Sequence, residues 1–86
     1  MGQVTRTGVG TVDIRAYGNR KDFMVLQIDL AAGMTAKVNG KVHLDAPWLE
    51  VVETQNADAI FSIGFLPFLQ LQVLSGTGVA TLYTQE

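Results

Sequence analysis

Phe68-Leu-Gln-Leu-Gln-Val-Leu-Ser-Gly-Thr-Gly-Val-Ala-Thr-Leu-Tyr-Thr84 is the stretch that decides the fold. Leu69, Leu71 and Val73 point one way while Gln70 and Gln72 point the other, the two-residue period of a strand with one face in the core. Ser75-Gly-Thr-Gly78 interrupts the alternation with residues suited to a sharp change of direction. Beyond it Ala80 and Leu82 alternate with Val79, Thr81 and Tyr83. The segment reads as two strands hinged on a glycine turn.

Working outward, the same pattern recurs. Residues 1–8, rich in Gly, Thr and Gln, read as a flexible N-terminal arm that orders only against a partner. Val12 and Ile14 alternate with Thr11, Asp13 and Arg15 in a first strand over Val9–Ala16, and Tyr17-Gly-Asn-Arg-Lys-Asp22 is a polar turn. Met24, Leu26, Ile28 and Leu30 fill one face of a long strand, with Gln27 and Asp29 on the other, and Ala31-Ala-Gly33 ends it. Ala36, Val38, Val42 and Leu44 predict a strand or a hairpin around Asn39-Gly40, a dipeptide whose residues both tolerate positive φ. Asp45-Ala-Pro47 breaks the pairing and Trp48–Glu53 resumes it. Gln55–Asp58 is a turn, Ala59–Phe65 a strand, and Gly64–Pro67 a bend, because Pro67 cannot donate to a central ladder.

Seven to eight short strands with turns at a spacing of about 8–12 residues predict an all-β chain, a small antiparallel β-sandwich or jelly-roll-like domain. The expected organisation is the arm at 1–8 followed by a single sandwich domain at 9–86. No apolar stripe of helical period runs across ten residues. Single helical turns fit best at Leu30–Met34 and Asn56–Ile60.

Composition adds a second message. Of the 86 residues 48% are apolar and 16% charged, against about 25% charged in an average domain. A small domain has proportionally more surface and should need more polar residues, so the apolar excess predicts an outer face covered by another chain. A skin of uncharged Thr, Gln, Ser and Asn is the plainer explanation. The six basic residues all precede Asp45, while five acidic ones follow from there. This predicts a weak electrical polarity if the halves occupy different faces, and none if they intermingle. The sequence has no cysteine, no apolar run near the about 20 residues of a membrane span and no signal-peptide pattern, so a soluble protein without disulfides is expected.

Reactive chemistry is sparse. His43 is the single histidine, and no nucleophile elbow accompanies Ser62 or Ser75, so no catalytic residue is assigned. One histidine without cysteine does not make a conventional zinc site, and the aspartates do not form a calcium loop. Neither a metal nor a cofactor is expected. Gly8-Val-Gly10 and Gly76-Thr-Gly78 are followed by strand residues, so they read as hairpin glycines and not as a phosphate cradle. Tyr17 with Arg15, Arg20 and Lys21 is the one basic-aromatic cluster, and in an acidic chain it does not predict nucleic-acid binding.

The aromatic residues carry the interface expectations. Trp48 opens a strand and is either a core plug or an exposed contact residue. Phe65-Leu-Pro-Phe-Leu69, two Phe and two Leu around a proline bend, either closes one end of the sandwich or presents an apolar knob to a second subunit. Tyr17 and Tyr83 complete the candidate interface set of Trp48, Phe65, Phe68, Tyr83 and Tyr17.

The ending of the chain resembles that of small bacteriophage virion proteins. Leu69-Gln-Leu-Gln-Val73, the Ser75-Gly-Thr-Gly78 turn, the strand Val79–Tyr83 and the stop at Glu86 are similar to it, as is the cysteine-free, polar-uncharged composition. Among such proteins the chain looks most like a capsid decoration (cement) protein. The resemblance implies a non-enzymatic structural subunit, made in the host cytoplasm and located in the virion. It further implies self-association as a homotrimer and binding to the major capsid protein or another virion protein, with no membrane or nucleic acid involved. Neck, tail or head fibre are other virion locations it allows. The alternative of a different class is a carbohydrate-binding or adhesion sandwich, which requires Trp48, Tyr17 or Tyr83 along one flat exposed face.

Overall fold

A computed structural model describes residues 2–16 and 23–85. Its eight strands are β1 (Gly2–Thr7), β2 (Gly10–Arg15), β3 (Phe23–Leu30), β4 (Thr35–Lys41), β5 (Leu49–Gln55), β6 (Ala59–Gly64), β7 (Phe68–Ser75) and β8 (Val79–Gln85). They form two antiparallel four-stranded sheets, ordered β1-β8-β3-β6 and β2-β7-β4-β5, here called sheets A and B. Strand 1 pairs with 8, 2 with 7, 3 with 6 and 4 with 5, the nested order of a jelly roll. The expected all-β sandwich is the observed one, and no described residue is helical.

The strand order repeats from one sheet to the other. Each strand of sheet A continues, or is continued by, the strand at the same place in sheet B, through the connections β1–β2, β7–β8, β3–β4 and β5–β6. All four crossings lie at one end, as the registers place Thr7 beside Val79, Thr35 beside Ser75, Gln55 beside Ala36 and Ala59 beside Ile28. The sandwich is therefore one sheet of four long strands folded in half. The sequence reads the Gly-x-Gly segments as hairpin glycines; instead, both are corners where a strand leaves one sheet for the other. At the fold line the Gly8 N–H donates to the Gly78 carbonyl at 3.0 Å. Gly76 has φ +106°, and a Cβ there would stand 2.5 Å from Met34 Cγ and 2.9 Å from Met34 Cα. A Cβ on Gly78 would stand 2.5 Å from Ala31 Cβ. Only glycine lets the β7–β8 crossing lie directly on the β3–β4 crossing.

Residues 2–7 are not a free arm. Gly2, Val4 and Arg6 face inward, Gln3, Thr5 and Thr7 outward, and the segment pairs along its whole length with β8. Its Gly/Thr/Gln composition hides a period-2 pattern in which only Val4 is a strong apolar marker. The inward Arg6 guanidinium donates to the Val9 carbonyl at 2.7 Å and fills the space above Gly10.

Asn39-Gly40 is not a hairpin turn either. Both residues lie inside β4, which runs unbroken to Lys41, and Val42 and Leu44 are exposed in the connection to β5. Packing overrides the local turn signal. A Cβ on Gly40 would meet Leu66 and Val51 at 2.7 Å, so the glycine is there to let those side chains in. The buried Asn39 amide donates to Gln70 Oε1 at 3.0 Å and Gln72 Oε1 at 2.9 Å across the β4–β7 pair. Register shifts between β4 and β5 let Val51 and Val52 both turn toward the interior.

Between the sheets lie Met24, Leu26 and Ile28 of β3, Val38 of β4, Leu69, Leu71 and Val73 of β7 and Leu82 of β8. Burying each such side chain contributes about 1.5–3 kcal/mol. Val12, Ile14, Phe61, Ile63 and Phe65 close the margins. The two halves of the sequence intermingle, β5 and β7 lying in one sheet with β2 and β4, so no face is purely basic or acidic.

The corner geometry makes a graded prediction. Gly76→Ala combines a left-handed φ, costing about 1–2 kcal/mol, with a clash against Met34 backbone. Gly8→Ala has a similar φ of +74° but open space around it. Thermal melts followed by circular dichroism should show a clearly larger loss for Gly76→Ala; equal losses would contradict a packed corner.

Candidate functional surfaces

The two sheets turn different outer faces to their surroundings. On sheet B the outward side chains include Asp13 and Arg15 of β2, Lys37 and Lys41 of β4, Gln70 and Gln72 of β7 and Glu50 of β5. They satisfy one another. Gln70 Nε2 donates to Asp13 Oδ1 at 3.1 Å while its carbonyl accepts from Asn39. Lys37 Nζ reaches Glu50 Oε1 at 3.4 Å. Such a net of partly buried amides and charges fixes the strands laterally and leaves little uncommitted chemistry.

At the end of this face remote from the corner, Lys41 Nζ sits 4.5 Å from the Trp48 ring centre and 5.8 Å from that of Phe68. The Arg15 guanidinium lies 4.7 Å from the other aromatic's centre, Phe68. Lys41 also donates to the Leu44 carbonyl at 2.9 Å. The cluster ties the 42–48 connection onto β2, β4 and β7 and borders a cavity of about 320 Å³ with Asp13, Ile14 and Leu44. Trp48 is half-buried and lies outside the core, so the core-plug expectation is corrected. The turn before β5, which holds Pro47, sets the indole against the Lys41 ammonium and leaves the interior to Val51 and Val52.

On sheet A the outer face is nearly free of charge. Gln3, Tyr83, Gln27 and Ile60 form one row across β1, β8, β3 and β6. Gln85, Val25 and Ser62 form the next, and Phe23 stands beyond them opposite Gly64. Asp29 is the one charged residue among the described outward positions of this sheet. Phe23 and Ile60 are 66% and 69% exposed on this face. A shallow depression of about 590 Å³ runs over this face, lined by Gln3, Val25, Gln27, Ile60, Tyr83 and Gln85 among others.

The expected interface residues thus part company. Trp48 and Phe68 come together at the end of sheet B. Tyr83 lies on the outer face of the opposite sheet. Phe65 packs against the core margin with Leu66, which makes it an end closure and not a knob. Tyr17, Arg20 and Lys21 lie outside the described residues. Phe23, Val25 and Ile60 were missed, although the alternation that buries Met24, Leu26 and Ile28 also puts Phe23 and Val25 on the opposite face. A strand apolar on both faces was the signal.

His43 is exposed in the 42–48 connection, its Nδ1 accepting from the Asp45 N–H at 3.1 Å, which orients the turn. Among the described residues no three His, Asp or Glu side chains converge on a common point. Comparison of the chain with protein-family models, with curated proteins and with solved structures finds no match.

Because the Lys41 ammonium faces both rings at a half-exposed site, its charge is worth about 0.5–1 kcal/mol there. Lys41→Met, which keeps the stem, should therefore destabilise only slightly yet shift the emission of the single tryptophan. Unchanged emission would mean that Lys41 and Trp48 do not meet.

Proposed function

We propose that the chain is a structural subunit that works by surface contact, seated by the outer face of sheet A on the shell of a bacteriophage particle. One observation carries the reading: a broad, almost uncharged apolar face, with Phe23, Val25, Ile60 and Tyr83 in adjoining rows, on a domain of only 86 residues. Such a face in water favours association, and its rim of Gln3, Gln27 and Gln85 supplies amides for hydrogen bonds without charges to desolvate. The jelly roll is a frequent architecture of capsid domains, which supports the reading by analogy of fold. The resemblance of residues 69–83 to small virion proteins points the same way. The strand β1, being an integral edge of sheet A, belongs to the contact face and is not a tether. A glycan-binding sandwich gains less support, since Trp48 and Tyr83 stand on opposite sheets and Lys41 covers the indole.

The test uses particles produced from the genome that encodes the chain. Mass spectrometry of purified particles should detect the protein at a level comparable with the shell subunits. A Phe23→Ser variant, at a side chain 66% exposed, should fold with little change in melting, within about 0.5 kcal/mol, yet be depleted from particles. Absence of the unaltered protein from the particles would overturn the proposal.

A further inference from the structure

We propose that two copies of this chain join through β6, antiparallel about a two-fold axis, to make a continuous eight-stranded sheet. Each sheet leaves two edges open: β1 and β6 in sheet A, β2 and β5 in sheet B. Open edges present unpaired N–H and C=O groups and are normally guarded by charges, proline or bulges. Three of the four are guarded. Strand β2 carries Asp13 and Arg15, β5 carries Glu50 and Glu53 together with register shifts, and β1 carries Arg6. Strand β6, Ala-Ile-Phe-Ser-Ile-Gly, has no charge, no proline and an unshifted register with β3.

The backbone parity of β6 identifies what it would accept. The Leu30 N–H points to the β6 side, donating to Asp58 Oδ1 at 2.8 Å. Ile28, Leu26 and Met24 share that direction, so their partners Ala59, Phe61 and Ile63 make the β3 ladder. Ile60 and Ser62 then turn their N–H and C=O groups to the open edge. Among the described residues no backbone bond from a turn or loop reaches that edge. The chemistry that fits is another uncharged strand, and β6 itself qualifies. Antiparallel pairing places the two Asp58 carboxylates, just before each β6, at opposite ends, whereas parallel pairing would bring them together. The pairing also makes the uncharged outer faces of two sheets A continuous. It yields a dimer as the unit of assembly, where the resemblance to decoration proteins implies a trimer.

Light scattering on the purified protein across a dilution series tests this without any particle, so it stands or falls apart from the shell-contact reading. The expected mass at the concentrated end is twice the 9.3 kDa of one chain. Ser62→Pro removes an outward N–H, and Ile60→Lys adds a guarding charge. Both should halve the mass while circular dichroism keeps its strand signal, and Ile60→Lys decides if the proline variant fails to fold. Thr11→Lys, on the β2 edge, should remain dimeric. Amide exchange should be slow at Ile60 and Ser62 in the dimer and fast in Ile60→Lys. A monomer throughout the series, or a folded Ile60→Lys that stays dimeric, would overturn the proposal.

Discussion

The close approach of glycine backbones at one end of the molecule is the constraint on which the rest depends. Four long strands can fold back on themselves only if the crossings stack, and they stack because Gly76 and Gly78 leave room for Met34 and Ala31. With the corner closed, the strands that follow it are brought over their own first halves, and their inward side chains meet at sandwich spacing. The core then forms between halves of the same strands, with Val12 and Val38 of sheet B and Val4 and Ile28 of sheet A in one cluster. A domain this small has little surplus burial to spend on a badly placed turn, so the crossings and the core stand together.

From that folding follows the division of labour between the two outer faces. Sheet B turns outward a set of amides and ion pairs that satisfy one another, from Asp13 through Gln70 and Asn39 to Gln72. The Lys41–Trp48 contact holds its loop, and Val42, Leu44 and Leu49 beside it remain exposed. Sheet A turns outward aromatic and branched side chains with amides at the rim. Burial of those groups against a partner is favourable in proportion to apolar area, and almost no charge must be stripped of water to achieve it. Under the proposed function, sheet A is the contact side and sheet B the braced one.

Much of this was legible in the sequence wherever alternation was strong. Met24–Leu30 and Leu69–Val73 declared their buried faces because every second residue is large and apolar, and seven of the eight strands follow from that rule. The first strand did not, since Gly2 and Arg6 occupy inward positions where the rule looks for apolar side chains. Asn39-Gly40 misled because a turn propensity of the local chain is weaker than the packing of Leu66 and Val51 over an absent side chain. The glycine corners were found but assigned to hairpins: a sequence marks where a strand bends, and the sheet to which it returns depends on pairings with distant segments. Trp48, placed half-buried over Lys41, shows the same limit, as its environment is assembled from β2, β4 and β7. The apolar outer face of sheet A was within reach, through the apolar residues on both faces of β3, but the one-sided reading of that strand concealed it.

The central claim is that sheet A is the face by which this protein associates while sheet B stands alone. Backbone amide chemical shifts followed by NMR over a range of protein concentrations test it most directly. Concentration-dependent shifts centred on β6 and the paired residues of β3, with sheet B unmoved, are the predicted result. Shifts clustered around Trp48 and Lys41, or none on sheet A at any concentration, would contradict it.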